Sequence, residues 1–187
     1  MKKNILAITV LSSLSGFVYA DGGLLSSIDI YQVAGTMESN SAGLGSLMIQ
    51  QDGGGSANKI NLVQGDVSNN LISITQVGTG NTTNVILNAS LPGNEVGGFS
   101  DITQAIAAST TTSGNTLSVS QTGSNDTANI SILGSSNTIT LSQTANNATA
   151  NISNVGDNNN ISVTQSTAGS VLNLVAHGTN LNYSVSQ

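Results

Sequence analysis

Four glutamines, Gln121, Gln143, Gln165 and Gln187, recur at a constant interval of 22 residues. A primary amide both donates and accepts hydrogen bonds, so amides stacked in register can pair with one another. An amide left unpaired in the interior would cost about 1–3 kcal/mol. The spacing therefore predicts a column of paired glutamines running through a repeating structure. The alternative is that each glutamine ends a strand and is half solvated.

Residues suited to catalysis or metal binding are sparse. His177 is the only histidine, the chain has no cysteine and no arginine, and its nine acidic residues are scattered without a catalytic spacing. An enzyme built on a β-helix needs acids and bases that converge in a cleft, and a structural metal site needs several Cys or His ligands. We expect no catalytic residues, no metal site and no cofactor, and we expect His177 to lie in an outward turn.

The 22-residue interval extends to many other positions, which makes it a true internal repeat. Asparagine columns are Asn115, Asn137 and Asn159, and Asn129, Asn151 and Asn173; a glycine column is Gly134, Gly156 and Gly178. The apolar columns contain Leu117, Val119, Ile130, Ile132, Ile139, Leu141, Ile152, Ile161, Val163, Leu174, Tyr183 and Val185. These apolar residues are the predicted core, and the glycines are predicted turn residues.

Each repeat contains two halves in which apolar and polar residues alternate over about six residues before a Gly, Asn or Ser turn. Strict alternation is the pattern of a β-strand with one buried face, and it excludes a helix. Two strands and two turns per repeat predict one rung of an all-β, flattened parallel β-solenoid. Stacked rungs would place like residues about 4.8 Å apart, the spacing of strands in a sheet. Serine and threonine then face outward, for example Ser118, Thr140 and Ser162.

The chain divides into three segments. Residues 1–20, with Lys2 and Lys3 before an apolar stretch, are predicted to be a signal peptide that is cleaved after Ala20. A transmembrane anchor is the alternative, but the apolar stretch is shorter than the ~20 residues that a span needs. Residues 21–99 are predicted to form irregular rungs with an inserted loop at 91–98, and residues 100–187 form the regular 22-residue repeats.

Composition and charge exclude several classes of function. Charged residues make up 6% of the chain, against about 25% in typical soluble domains. After removal of residues 1–20, one lysine (Lys59) and nine acidic residues remain, a formal charge of −8. Nucleic-acid binding requires cationic groups that displace counterions from phosphate, so the sequence argues against it. It also argues against docking on anionic lipid and against membrane insertion after signal cleavage.

Two segments carry a family resemblance: NLISITQVGTGN at residues 70–81 and NTLSVSQTGSN at residues 115–125. Both resemble the curlin repeat, in which Gln and Asn columns form ladders through the stack and glycines occupy turns. The resemblance implies ladder roles for Gln76, Gln121, Gln143, Gln165, Asn81, Asn125 and Asn147, and turn roles for Gly78 and Gly123. In the second strand, where curlin repeats usually have another Gln, this chain has Ile132, Asn154 and Ala176.

The resemblance also implies a function. Curlin subunits are secreted and polymerise into curli, functional amyloid fibres on the bacterial cell surface that serve in adhesion and in the biofilm matrix. The implied partners are further copies of the chain, a second curlin-type nucleator or major subunit, and a dedicated outer-membrane secretion machinery. The regular repeat continues to Gln187 without a polar cap, and such a cap is what solenoids that stay monomeric normally require.

A second class of function is a monomeric β-solenoid binding module, either an adhesin passenger or an ice-binding protein. Ice binding would favour flat rows of threonine on one face, whereas the outward columns mix serine with threonine. The two classes are distinguished by whether the purified chain forms fibres.

Overall fold

The computed structural model of the protein describes residues 7–10, 16–21, 27–32, 47–52, 58–64, 67–68, 70–87, 89–90, 106–107 and 112–187. All regular elements in these ranges are β-strands. In chain order they are β1 (Ala7–Val10), β2 (Gly16–Asp21), β3 (Ser27–Gln32), β4 (Leu47–Asp52), β5 (Lys59–Gln64), β6 (Val67–Ser68), β7 (Leu71–Val77), β8 (Thr82–Leu87), β9 (Ala89–Ser90), β10 (Ile106–Ala107), β11 (Thr112–Ser113), β12 (Thr116–Gln121), β13 (Thr127–Leu133), β14 (Thr138–Gln143), β15 (Thr149–Val155), β16 (Asn160–Gln165), β17 (Val171–His177) and β18 (Asn182–Ser186). No helix long and apolar enough to cross a membrane is found in these described ranges.

Fourteen strands form two parallel sheets of seven strands each. The glutamine sheet has the strand order β2-β4-β7-β12-β14-β16-β18, and the asparagine sheet has the order β1-β3-β5-β8-β13-β15-β17. From β12 to β18 the chain alternates between the two sheets, so each rung contributes one strand to each. This arrangement confirms the predicted all-β, parallel β-solenoid.

Strand pairing in the regular part follows the sequence repeat. Leu117 pairs in register with Ile139, and Ile139 pairs with Ile161, each partner lying one sequence repeat further along the chain. Along β14, Ile139 and Leu141 are buried while Thr138 and Thr140 are exposed, as the alternation predicts. Each side-chain column therefore runs along the solenoid axis with its apolar members between the sheets.

The core is the layer between the two sheets. The predicted core residues from Leu117 to Val163 are all at most 2% exposed, and burial of each such side chain stabilises the fold by about 1.5–3 kcal/mol. Leu174, Tyr183 and Val185 belong to the same columns but are only partly buried. The reason is that, in the described part of the chain, β17 and β18 each have a neighbouring strand on one side only.

Glycine is required where adjacent turns touch. Gly134 and Gly156 follow strands of the asparagine sheet and have φ angles of +129° and +126°. A Cβ atom on Gly134 would overlap the carbonyl oxygen of Gly156, and a Cβ on Gly156 would overlap that of Gly178. These turns can therefore stack at the strand spacing only without side chains.

One insertion interrupts the repeat. Gln76 pairs with Gln121 at a separation of 45 residues, which is 23 more than the repeat of 22. The extra residues lie between β8 and β12 and include the short strands β9 and β10, which pair antiparallel, whereas β11 pairs parallel with β6. The predicted loop at 91–98 lies outside the described residues. The rung of β7 and β8 stacks directly on that of β12 and β13.

Two strands lie in the segment predicted to be a signal peptide. They are β1 and all of β2 except Asp21, and they pair with β3 and β4. Cleavage after Ala20 stays a prediction. It would remove these strands and leave β3 and β4 as the outermost strands of the two sheets.

Candidate functional site

The glutamine column forms a continuous chain of hydrogen bonds along the glutamine sheet. Nε2 of each glutamine donates to Oε1 of the next at 2.9–3.1 Å. Its members are Gln76, Gln121, Gln143, Gln165 and Gln187, of which the first four are completely buried. We call this column the glutamine ladder.

The glutamine ladder also joins the two sheets. Nε2 of Gln121 donates to the carbonyl of Thr82, that of Gln143 to Thr127, and that of Gln165 to Thr149, at 3.0–3.2 Å. Both amide hydrogens of each of these residues thus have an acceptor, so burial leaves no unpaired donor. Full pairing requires an identical amide on the adjacent rung, which makes every rung a template for the next.

A first asparagine column connects the turns that enter the glutamine sheet. Oδ1 of Asn115 accepts from the backbone N–H of Asn137, and Oδ1 of Asn137 accepts from that of Asn159, both at 2.9 Å. Their Nδ2 atoms donate to the carbonyls of Gly134 and Gly156. Asn70 precedes these residues in the column and Leu181 follows them. The side chains therefore hold adjacent turns at the strand spacing.

A second turn column lies five residues after each glutamine. It contains Asn81, Asp126, Ala148 and Ser170, preceded by Asn58. Oδ1 of Asn81 accepts from the N–H of Asp126, and Nδ2 of Asn81 donates to the carbonyl of Gly123. Asn58, Asn70 and Asp126 were not predicted as site residues. The constant five-residue offset from the glutamines is the signal that could have identified Asp126.

Asp126 is a completely buried carboxylate. Its Oδ1 accepts from the N–H of Ala148 at 2.9 Å, but its Oδ2 has no hydrogen-bond partner among the described residues. Burial raises the pKa of the Asp126 carboxyl, while the hydrogen bond from the backbone N–H of Ala148 acts in the opposite direction. An ionisable carboxyl group thus occupies a position where Asn81 carries a neutral amide.

The predicted ladder roles of Asn125 and Asn147 are wrong. Both side chains are exposed, and both residues have positive φ angles, 59° and 61°. Gly80 and Gly169 occupy the same position in their turns, with φ angles of 71° and 72°. Asparagine and glycine tolerate this left-handed conformation better than other residues, so the position is selected for backbone geometry.

A third asparagine column runs along the outer face of the asparagine sheet. Nδ2 of each residue donates to Oδ1 of the next at 2.6–2.8 Å. Its members are Asn61, Asn84, Asn129, Asn151 and Asn173. We call this column the asparagine ladder; like the glutamine ladder, it donates from each rung toward the rung that follows in sequence.

Gln32 and Gln64 lie in register with each other and with Leu87 in the asparagine sheet, so they do not belong to the glutamine ladder. In the glutamine sheet, Gln51 and not Gln50 is in register with Gln76. His177 is exposed at the end of β17. The described residues contain no group of three His, Cys, Asp or Glu side chains that could hold a metal ion.

The family model of the curlin-associated repeat matches residues 112–144. This range covers β11 to β14, including the ladder residues Gln121 and Gln143. The resemblance to the curlin repeat is thus confirmed for this part of the chain. No curated protein and no solved structure is significantly similar to the chain.

Proposed function

Starting from the curlin-associated repeat that this chain carries, we propose that it is a secreted structural subunit of a curli-like fibre. In this proposal the mature chain, residues 21–187, stacks with further copies into a functional amyloid on the bacterial cell surface. The fibre serves in adhesion and in the biofilm matrix. A second curlin-type subunit and a dedicated outer-membrane secretion machinery are the proposed partners.

The observation that carries the proposal is the edge formed by β17 and β18. Among the described strands, each of these two has a neighbour on one side only, and the exposed fractions of Val171 and Val175 on β17 are 59% and 58%. An edge strand with free N–H and C=O groups is a template for another strand. Because every regular rung has the same columns, a rung from another copy can extend the backbone pairing and the glutamine ladder.

The alternative of an ice-binding module has less support. The outward column that contains Ser73, Ser118 and Thr140 continues with Ser162 and Ser184. Threonine therefore does not form an unbroken row there. The side-chain hydrogen bonds that run from rung to rung also favour a structural role.

The direct test is electron microscopy and fibre diffraction of purified residues 21–187 after incubation. We expect fibres with one reflection at about 4.8 Å and another at about 10 Å, the strand and sheet spacings of cross-β structure. A chain that stays monomeric at high concentration and melts sharply and reversibly would contradict the proposal. Antibody labelling of intact cells would test the surface location independently.

A further inference from the structure

The two ends of the stack differ in chemistry. At one end, β17 and β18 leave Tyr183 and Val185 only partly buried. At the other end, predicted signal cleavage leaves β3 and β4 outermost. Along β4, Leu47, Ile49 and Gln51 are in register with Ile72, Ile74 and Gln76, so β4 has the two apolar residues and the glutamine that characterise the glutamine sheet.

The asparagine ladder has a direction that distinguishes the same two ends. Each Nδ2 donates toward the following rung, so Asn173 ends the ladder with an Nδ2 that has no acceptor among the described residues. At the opposite end, Asp29 is in register with Asn61. An ionised carboxylate accepts hydrogen bonds but cannot donate them. The Asn173 end of the ladder therefore has a hydrogen-bond donor, and the opposite end has Asp29, whose ionised side chain can only accept hydrogen bonds.

We infer, on the basis of the proposed function, that the β17–β18 edge of one copy pairs in parallel and in register with the β3–β4 edge of the next copy. Asn173 then lies against Asp29 of the next copy, and Gln187 lies against Gln51. Tyr183 and Val185 are then in register with Leu47 and Ile49 of the next copy. The backbone pairing and the glutamine ladder continue across this junction, and the asparagine ladder ends in a charge-assisted hydrogen bond.

Junctions between two identical edges are less favourable than the inferred junction between two different edges. Two β3–β4 edges would bring two copies of Asp29 and two of Asp52 together in a chain whose one mature lysine, Lys59, lies on β5. Like charges opposite each other destabilise strand pairs. Two β17–β18 edges related by a two-fold axis would run antiparallel, so Gln187 of one copy could not continue the ladder of the other.

Cysteine cross-linking tests the register directly, because the chain has no cysteine of its own. Ser186 and Gln50 belong to one register column, which runs through Thr164, Ser142, Ser120 and Thr75. In the inferred junction their Cα atoms are about 4.8 Å apart, within the range that a disulfide spans. Chains of residues 21–187 with Gln50→Cys or Ser186→Cys are assembled alone and as an equal mixture, then mildly oxidised.

We expect a disulfide-linked dimer from the mixture and only monomer from either variant alone. The matched control is Ser184→Cys, also exposed on β18. It would lie about 8 Å from position 50 across the junction, beyond disulfide reach. Mixed with Gln50→Cys, it should give at least about fivefold less dimer.

Electron microscopy of the same samples separates the two hypotheses. Fibres that form without a dimer in the Gln50→Cys and Ser186→Cys mixture would overturn the junction and leave the proposed function standing. Fibres in which Ser186→Cys dimerises alone, or in which Ser184→Cys cross-links better, would also overturn it. A failure of the wild-type chain to form fibres would overturn the proposed function and the junction together.

Discussion

The side-chain nitrogen Nε2 of Gln143 donates to Oε1 of Gln165 at 2.9 Å, and the same nitrogen reaches the carbonyl of Thr127 at 3.1 Å. The first bond joins adjacent rungs and the second joins the two sheets. A buried amide gains net stability from such bonds only when both hydrogens are paired. The ladder therefore makes each rung dependent on an identical neighbour, which suits a structure that grows by adding rungs.

Replacing Gln143 with Leu should slow fibre growth less than replacing Ile139 with Asp. Leucine fills the glutamine site but leaves Nε2 of Gln121 without one acceptor and Oε1 of Gln165 without its donor, at a cost of about 1–3 kcal/mol. Ile139 is completely buried, so Asp there would place an unpaired charge in the core, which costs several kcal/mol. Thioflavin fluorescence kinetics would compare the growth rates.

Thr140→Asp is the matched control for Ile139→Asp, since Thr140 is on the same strand and exposed. It should leave growth nearly unchanged. The Ile139→Asp variant should recover partly at about pH 4, where the carboxyl becomes neutral. Equal growth of the Ile139→Asp and Thr140→Asp variants at neutral pH would contradict the register of β14.

Replacing Asp126 with Asn should stabilise the fibre at neutral pH and remove part of its pH dependence. Asn81 uses its Nδ2 to donate to the carbonyl of Gly123, and an asparagine at 126 would have the same kind of donor. The raised pKa of Asp126 means that the folded state binds the proton more tightly than the unfolded state. The contribution of Asp126 to the stability of the wild-type folded state is therefore fully present below its ordinary pKa of 3.8. This contribution is lost as the pH rises through the raised pKa of the folded state.

The measurement is the guanidinium concentration that dissolves half of the fibres, as a function of pH. The advantage of the Asp126→Asn variant should be about 1–3 kcal/mol at neutral pH and should shrink as the pH falls toward 3.8. Asp157→Asn is the control, because Asp157 is exposed and accepts from the N–H of Ser135. An advantage of Asp126→Asn that grows on acidification would show that Asp126 is stabilised as an anion.

The sequence predicts the strands and the glutamine ladder for two reasons. Alternation within each strand identifies the side chains that point inward, and the 22-residue repeat identifies which of them stack on one another. It does not as readily predict the turns. The asparagines four residues after a glutamine, Asn125 and Asn147, resemble ladder residues by type, but their position requires a positive φ angle. The position one residue later changes from Asn81 to Asp126 to Ala148. It tolerates different side chains because backbone hydrogen bonds between adjacent turns, such as that from Thr127 N–H to the carbonyl of Ala148, are present as well.

Replacing Gly156 with Ala should slow fibre growth much more than replacing Gly169 with Ala. Both have positive φ angles, +126° and +72°, and an L-residue in the left-handed region costs about 1–2 kcal/mol. A Cβ on Gly156 would also overlap the carbonyl of Gly178, whereas a Cβ on Gly169 has no atom within 4 Å. Comparable growth rates for the two variants would mean that the Gly156 and Gly178 turns do not stack as closely as the structure has them.

Removing residues 89–111 should leave the solenoid intact and restore an unbroken repeat. Rungs on the two sides of the insertion are already in register, since Gln76 pairs with Gln121 and Leu87 with Ile132 at separations of 45 residues. The deletion is as long as the excess over the regular repeat, so both separations become equal to that repeat. The deletion is combined with Thr112→Gly, because residue 112 then takes the position of Gly134, where a Cβ would overlap the carbonyl of the adjacent turn. In the new turn, residues 112–115, Gly114 has a φ angle of +69° where the next turn has Ser136 at +58°.

Because Gly114 already has the left-handed φ angle of a regular turn, the shortened chain with Thr112→Gly should form fibres at least as fast as the wild-type chain, with the same diffraction spacings. The control is a deletion of the same length shifted to residues 93–115 and combined with Ala89→Gly, which supplies the same turn glycine. It removes Asn115 and its bonds to Asn137 and Gly134 and also the left-handed Gly114. That variant should assemble more slowly, because the turn column loses a member that accepts from one rung and donates to the next. Loss of fibres from the 89–111 deletion but not from the shifted one would mean that the insertion itself supports the stack.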